Sequence, residues 1–77
     1  MHFADLKIGQ TARITALKAG EPVYRKRLIS MGLIPGTEFT VQRIAPLGDP
    51  IEIHIRGFNL SLRKIEASVL QIEEVKK

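Results

Sequence analysis

Between residues 11 and 16 the chain alternates strictly, with Ala12, Ile14 and Ala16 set against Thr11, Arg13 and Thr15. A period of two marks a strand with one buried face, so residues 10–17 are read as strand one. The rhythm then changes. Over residues 22–31, Tyr24, Leu28 and Met31 recur at i, i+4 and i+7 while Arg25, Lys26 and Ser30 face elsewhere, which is the stripe of one short amphipathic helix. Gly20-Glu21-Pro22 supplies its start, because proline at the first helical position gives up no hydrogen bond that the helix needs. Gly32 suits the left-handed residue that ends a helix, with Leu33 closing back on Leu28. Ile34-Pro35-Gly36-Thr37 then places proline and glycine at the two centres of a type II turn. Alternation resumes over residues 38–44, with Phe39 and Val41 on one face and Thr40 and Gln42 on the other, and this is strand two.

The six residues Ala45-Pro46-Leu47-Gly48-Asp49-Pro50 hold two prolines and a glycine, so they form a loop that interrupts the ladder. Ile51, Ile53 and Ile55 alternate with Glu52, His54 and Arg56, and Leu60 and Leu62 continue beyond a turn. Gly57-Phe58 at the turn centre fits a type II′ hairpin between strands three and four. Residues 64–68 read as a single turn and residues 69–73 as a last strand with Leu70 and Ile72 inward; residues 74–77 are expected to fray. Five strands this short bury their apolar faces best by curling, so the expected fold is a mainly β, small SH3-like barrel of about five strands, with one short α-helix inserted between strands one and two. An OB-type barrel is the second choice. No composition break divides the 77 residues, so residues 1–77 are read as a single domain.

Composition narrows the chemistry. Without cysteine there is neither a disulfide frame nor a thiolate metal cage. Met1-His2-Phe3-Ala4-Asp5-Leu6 holds no basic segment followed by an apolar run, and no stretch approaches the roughly 20 apolar residues of a membrane span, so the expected location is cytoplasmic. Twelve Lys and Arg against eight Asp and Glu give a formal charge of +4. Much of it sits in Arg25-Lys26-Arg27, Arg63-Lys64 and Lys76-Lys77, with acidic residues interleaved elsewhere as on an ordinary solvated surface.

Four constellations are weighed. Tyr24, Leu28, Met31, Leu33 and Ile34 form either an apolar patch rimmed by Arg25, Lys26 and Arg27 for a partner, or the helix stripe packed on the barrel. The loop bearing Leu47 is either a preorganised contact or a seal at the barrel end. Glu52 and His54 share one strand face, but two groups do not make a metal site, and a solvated face is the reading preferred; no metal and no cofactor are expected. The basic runs suit phosphates, yet with only Phe3, Tyr24, Phe39 and Phe58 as aromatics a stacking platform is not provided, so nucleic acid is not the expected partner. No phosphate-binding glycine loop, nucleophile triad or paired carboxylates can be assembled, and an enzyme is not expected.

The run Tyr24-Arg25-Lys26-Arg27-Leu28-Ile29-Ser30-Met31-Gly32-Leu33-Ile34-Pro35-Gly36, followed by Arg43-Ile44-Ala45-Pro46-Leu47-Gly48-Asp49-Pro50-Ile51, resembles the FeoA family. So does the stretch from Gly57 through Leu60, Leu62 and Arg63 to Glu66-Ala67, and the resemblance covers residues 6–72. It implies an SH3-like barrel and a small cytoplasmic accessory protein of bacterial ferrous iron uptake, acting on the cytoplasmic, GTPase-bearing part of the membrane permease FeoB. With that resemblance, Tyr24, Arg25, Arg27, Leu28, Met31, Leu33 and Leu47 are taken as the partner-binding set. Membrane contact is expected only through FeoB, and a homo-oligomer is an open possibility.

Overall fold

A computed structural model describes residues 1–18, 20 and 22–76. The elements run β1 (Thr11–Leu17), α1 (Pro22–Ser30), β2 (Glu38–Ile44), β3 (Ile51–Ile55), β4 (Phe58–Leu62), α2 (Lys64–Ala67) and β5 (Leu70–Glu74), preceded by one 3-10 turn over Phe3–Asp5. Pro22 is the first residue of α1 as its fixed φ predicts, while the rest of the expected helix start, at Glu21, lies outside the described residues. The five strands form one antiparallel sheet in the order β4-β3-β2-β1-β5.

The sheet turns over on itself because β2 serves two partners. Its first residues pair with β1, Glu38 opposite Arg13 and Phe39 opposite Ala12, and its later residues pair with β3, Val41 opposite Ile53 and Ile44 opposite Ile51. Register shifts between Ile14 and Ala16 and between Val41 and Arg43 sharpen the bend, as extra residues in a ladder do. The ladder stays open among the described residues: β4 and β5 are its two edges, and α2 bridges them in the chain.

The inward side chains meet in one core. Ala12 and Ile14 from β1, Phe39 and Val41 from β2, Ile51, Ile53 and Ile55 from β3, Leu62 from β4, and Leu70 and Ile72 from β5 are all buried, as their alternation predicts. The amino-terminal turn adds Phe3 and Leu6, which the alternation did not flag, and the Phe3 and Phe39 rings lie 6.0 Å apart at 41°.

Two expectations need correction. The hairpin between β3 and β4 turns at Arg56-Gly57, one residue earlier than expected, since Ile55 pairs with Phe58. Both central residues have positive φ, 47° and 87°, so the turn is type I′, whose twist matches that of the strands, and Phe58 opens β4. No residue of the loop after β2 belongs to a strand, as expected, and the Ala45 N–H donates to the Pro50 carbonyl at 3.1 Å to close its base. Residues 74 and 75 do not fray: Glu74 is part of β5 and the Val75 N–H donates to the Thr11 carbonyl at 2.9 Å, while Lys77 lies outside the described residues.

Candidate functional site

The end of α1 is fixed by backbone bonds. The Leu33 N–H reaches the Leu28 carbonyl at 3.0 Å and the Gly32 N–H reaches the Ile29 carbonyl at 3.0 Å, the two bonds of a Schellman cap, with Gly32 at φ 88°. The Thr37 N–H donates to the Ile34 carbonyl at 3.1 Å, which closes the expected turn, and the Gly36 N–H and Thr37 carbonyl both bond to Ile14. The chain leaving α1 is therefore stitched to β1 and cannot swing.

This cap decides the fate of two candidates. Leu28 and Leu33 are 0% exposed, inside the core, and neither can touch a partner unless the core opens. For these two the partner-binding expectation is corrected, because both side chains are packed in the hydrophobic core; burying each stabilises by about 1.5–3 kcal/mol. Met31 is half-buried and packs against the core, and Tyr24 is half-buried. Arg25, Lys26 and Arg27 are exposed, as are the apolar Val23, Ile29 and Ile34.

At the far end of the sheet, Leu47 is 97% exposed. It stands at the third position of a tight turn in which the Gly48 N–H donates to the Ala45 carbonyl at 2.7 Å, with Pro46 restricting the second position. A leucine held fully in solvent by so stiff a turn gains nothing for the fold, since its apolar surface stays wet.

What joins α1 to this loop is α2. Its amino end is satisfied by two carboxylates: Glu66 accepts from the Arg63 N–H at 3.2 Å, and Asp49, in the loop after β2, accepts from the Lys64 N–H at 2.9 Å. Glu66 is 7% exposed, and its other oxygen meets the Arg27 guanidinium at 3.0 Å. The helical turn thus ties to α1 through Arg27 and to the Leu47 loop through Asp49, and between these ties it presents exposed Ile65. Two candidates that lie twenty residues apart in sequence, Arg27 and the loop bearing Leu47, are thus joined through α2, and Val23, Ile65 and Leu47 are exposed apolar residues on these three elements, while Ile29 lies on the flank of α1 opposite Arg27. Sequence reasoning missed Val23, Ile29 and Ile65, and the only signal was that they fall outside the helix stripe; it missed Asp49 and Glu66 because their partners are remote or lie on a neighbouring helix.

The other candidates are committed elsewhere. His54 Nδ1 lies 2.8 Å from Asn59 Oδ1 and Glu52 reaches toward Arg43 at 4.0 Å. Among the described residues no group of three or more His, Cys, Asp or Glu is placed to hold a metal ion. Arg13 lies between Glu38 at 3.0 Å and Glu73 at 2.8 Å on the exposed side of the sheet, and hydrogen bonding to Glu38, then to Glu73, raises its pKa above the ordinary arginine value. Of the aromatics, Phe3 and Phe39 are spent on the core. What α1, α2 and the loop leave in solvent are the apolar Val23, Ile29, Ile65 and Leu47 and the basic Arg25, Lys26 and Arg27. Among the described residues no helix is long and apolar enough to cross a membrane.

Comparison with known proteins agrees with the resemblance read from the residues. The family model described as FeoA domain matches residues 1–74. A Fe(2+) transport protein A/Fe(2+) transporter FeoB fusion protein of Porphyromonas gingivalis is 37% identical over 73 residues, covering 95% of this chain, which spans 8% of that relative's length. Among solved structures, the FeoA protein of Chlorobium tepidum is 39% identical with a TM-score of 0.86, over 99% of this chain and 71% of that one. A FeoA of Stenotrophomonas maltophilia described as an SH3 domain protein superposes with a TM-score of 0.81 at 20% identity, over 95% of this chain and 89% of that one, a likeness of fold. The open five-stranded sheet with its helix after the first strand is thus an SH3-like fold. Matched over nearly its whole length, the chain belongs to the FeoA domain family.

Proposed function

We propose that this chain is an accessory protein of ferrous iron uptake that binds the cytoplasmic part of FeoB through the surface made by α1, α2 and the Leu47 loop, acting by contact and not by turnover. The observation that carries the reading is the Porphyromonas gingivalis relative, in which a segment matching 95% of this chain is covalently joined to FeoB. Fusion holds two modules at high local concentration, and modules so joined work together. The connected surface supports the reading because its exposed apolar residues, Leu47 above all, contribute nothing visible to the fold. Tyr24, Arg25, Arg27, Met31 and Leu47 are retained as contact residues and Ile65 is added; Leu28 and Leu33 hold the backbone beneath them.

Chemical-shift mapping of the chain titrated with the cytoplasmic part of FeoB tests this. Perturbations are expected to cluster on Arg25, Arg27, Met31, Leu47 and Ile65. Saturating FeoB that leaves those signals in place, or shifts confined to the far face around Arg13 and His54, refutes the assigned surface.

A further inference from the structure

The sheet ends in two open edges, and they are built differently. β5 carries exposed Glu73 and Glu74, and charge on an edge discourages pairing with another chain. β4 reads Phe-Asn-Leu-Ser-Leu, with neither a charge nor a proline. Among the described residues the backbone of β4 is bonded only to β3. The two-residue turn at Arg56-Gly57 makes Ile55 and Phe58 the closing hydrogen-bonded pair, so Phe58, Leu60 and Leu62 bond inward to β3. Asn59 and Ser61 then turn their N–H and C=O groups outward, with no backbone partner among the described residues.

We propose that β4 is the seam of a two-fold homodimer, pairing antiparallel with β4 of a second copy about an axis through Leu60. In that register each Asn59 lies opposite Ser61 of the other copy, and the two pairs exchange about four hydrogen bonds. Leu60 meets its own counterpart at the closer, non-hydrogen-bonded spacing, and Phe58, 46% exposed in the single chain, comes opposite Leu62. Neutral polar groups face neutral polar groups, apolar groups face apolar groups, and within the strand no like charges are opposed. This self-complementarity selects a second copy over an unrelated strand. Just beyond the strand the same register brings Lys64 toward Arg56 of the other copy, and each copy carries a formal charge of +4. Repulsion at the ends is screened by salt, so the dimer tightens as ionic strength rises.

Sedimentation equilibrium of the full chain at roughly 0.1–1 mM, the range that so small a seam requires, should show a mass climbing toward twice the monomer, more steeply at about 0.5 M than at about 50 mM salt. Hydrogen exchange at the Asn59 and Ser61 amides should slow with concentration while exchange along β5 does not. Ser61→Pro removes an outward N–H at a place where an edge strand tolerates proline, and should weaken association about tenfold or more. Asn59→Lys combined with Ser61→Lys should do the same by opposing like charges across the seam, and its second lysine faces Glu52 on β3, which keeps the single chain folded. A chain that stays monomeric over this range, an association that weakens with salt, or a folded Ser61→Pro variant that associates as the native chain does would overturn the proposal.

Discussion

Leu28 and Leu47 are the same residue type, sit in the two segments that most invite a partner, and end at opposite extremes, one 0% and the other 97% exposed. At Leu28 the helix cap fixes the backbone, Leu33 bonding to its carbonyl, and the side chain is a fully buried member of the core. Around Leu47 a proline and a tight turn hold the backbone still while nothing covers the side chain. The contrast teaches that rigidity and burial are separate properties. Stiff backbone serves the core in the first region and presents a side chain to solvent in the second.

The comparison can be broken most violently at its buried end. Leu28→Ala should cost about 2–5 kcal/mol, enough to unfold a large fraction of so small a domain, and thermal melting by circular dichroism checks it. Any loss of FeoB binding in that variant would report unfolding and not a lost contact. The tie between the two regions is the next target. Glu66→Ala strips an acceptor from the Arg63 N–H and a partner from Arg27, with an expected cost of about 1–3 kcal/mol in urea unfolding. Chemical-shift changes should spread from α2 to both Arg27 and the Leu47 loop; changes confined to α2 would mean that the two regions are not mechanically joined.

A smaller effect isolates backbone from packing. A Cβ added at Gly32 would meet nothing within 4 Å, so Gly32→Ala should cost only the left-handed conformation, about 1–2 kcal/mol by chemical denaturation. A larger loss would place a hidden contact there. At the exposed end, Leu47→Ser should change stability by less than about 0.5 kcal/mol, yet weaken FeoB binding by about tenfold in calorimetric titration. Unchanged affinity in that variant would remove Leu47 from the contact.

Much of the architecture was legible in the residues because its causes are local. The alternation of Ala12 and Ile14, of Phe39 and Val41, and of the three isoleucines of β3 places each strand's buried face, and Gly32 with Pro35-Gly36 marks where α1 stops and β2 begins. The site was legible only in outline. Arg25, Arg27 and Leu47 stand in solvent as a contact surface needs, while Leu28 and Leu33, equally attractive on paper, belong to the core. Hydrophobicity marks a residue as wanting cover and does not say what supplies the cover.

By itself the sequence determined the number of strands, the place of α1 between the first two, and the family to which the chain belongs, since periodicity, caps and turns are set by residues within a few positions of one another. Only the tertiary structure decided that Asp49 caps a helix fifteen residues further on, that Arg27 reaches Glu66, that β2 divides itself between two neighbours, and that the edge at β4 is left open. Those outcomes depend on which distant segments meet when the core closes, and a pattern of local periods carries no record of that meeting.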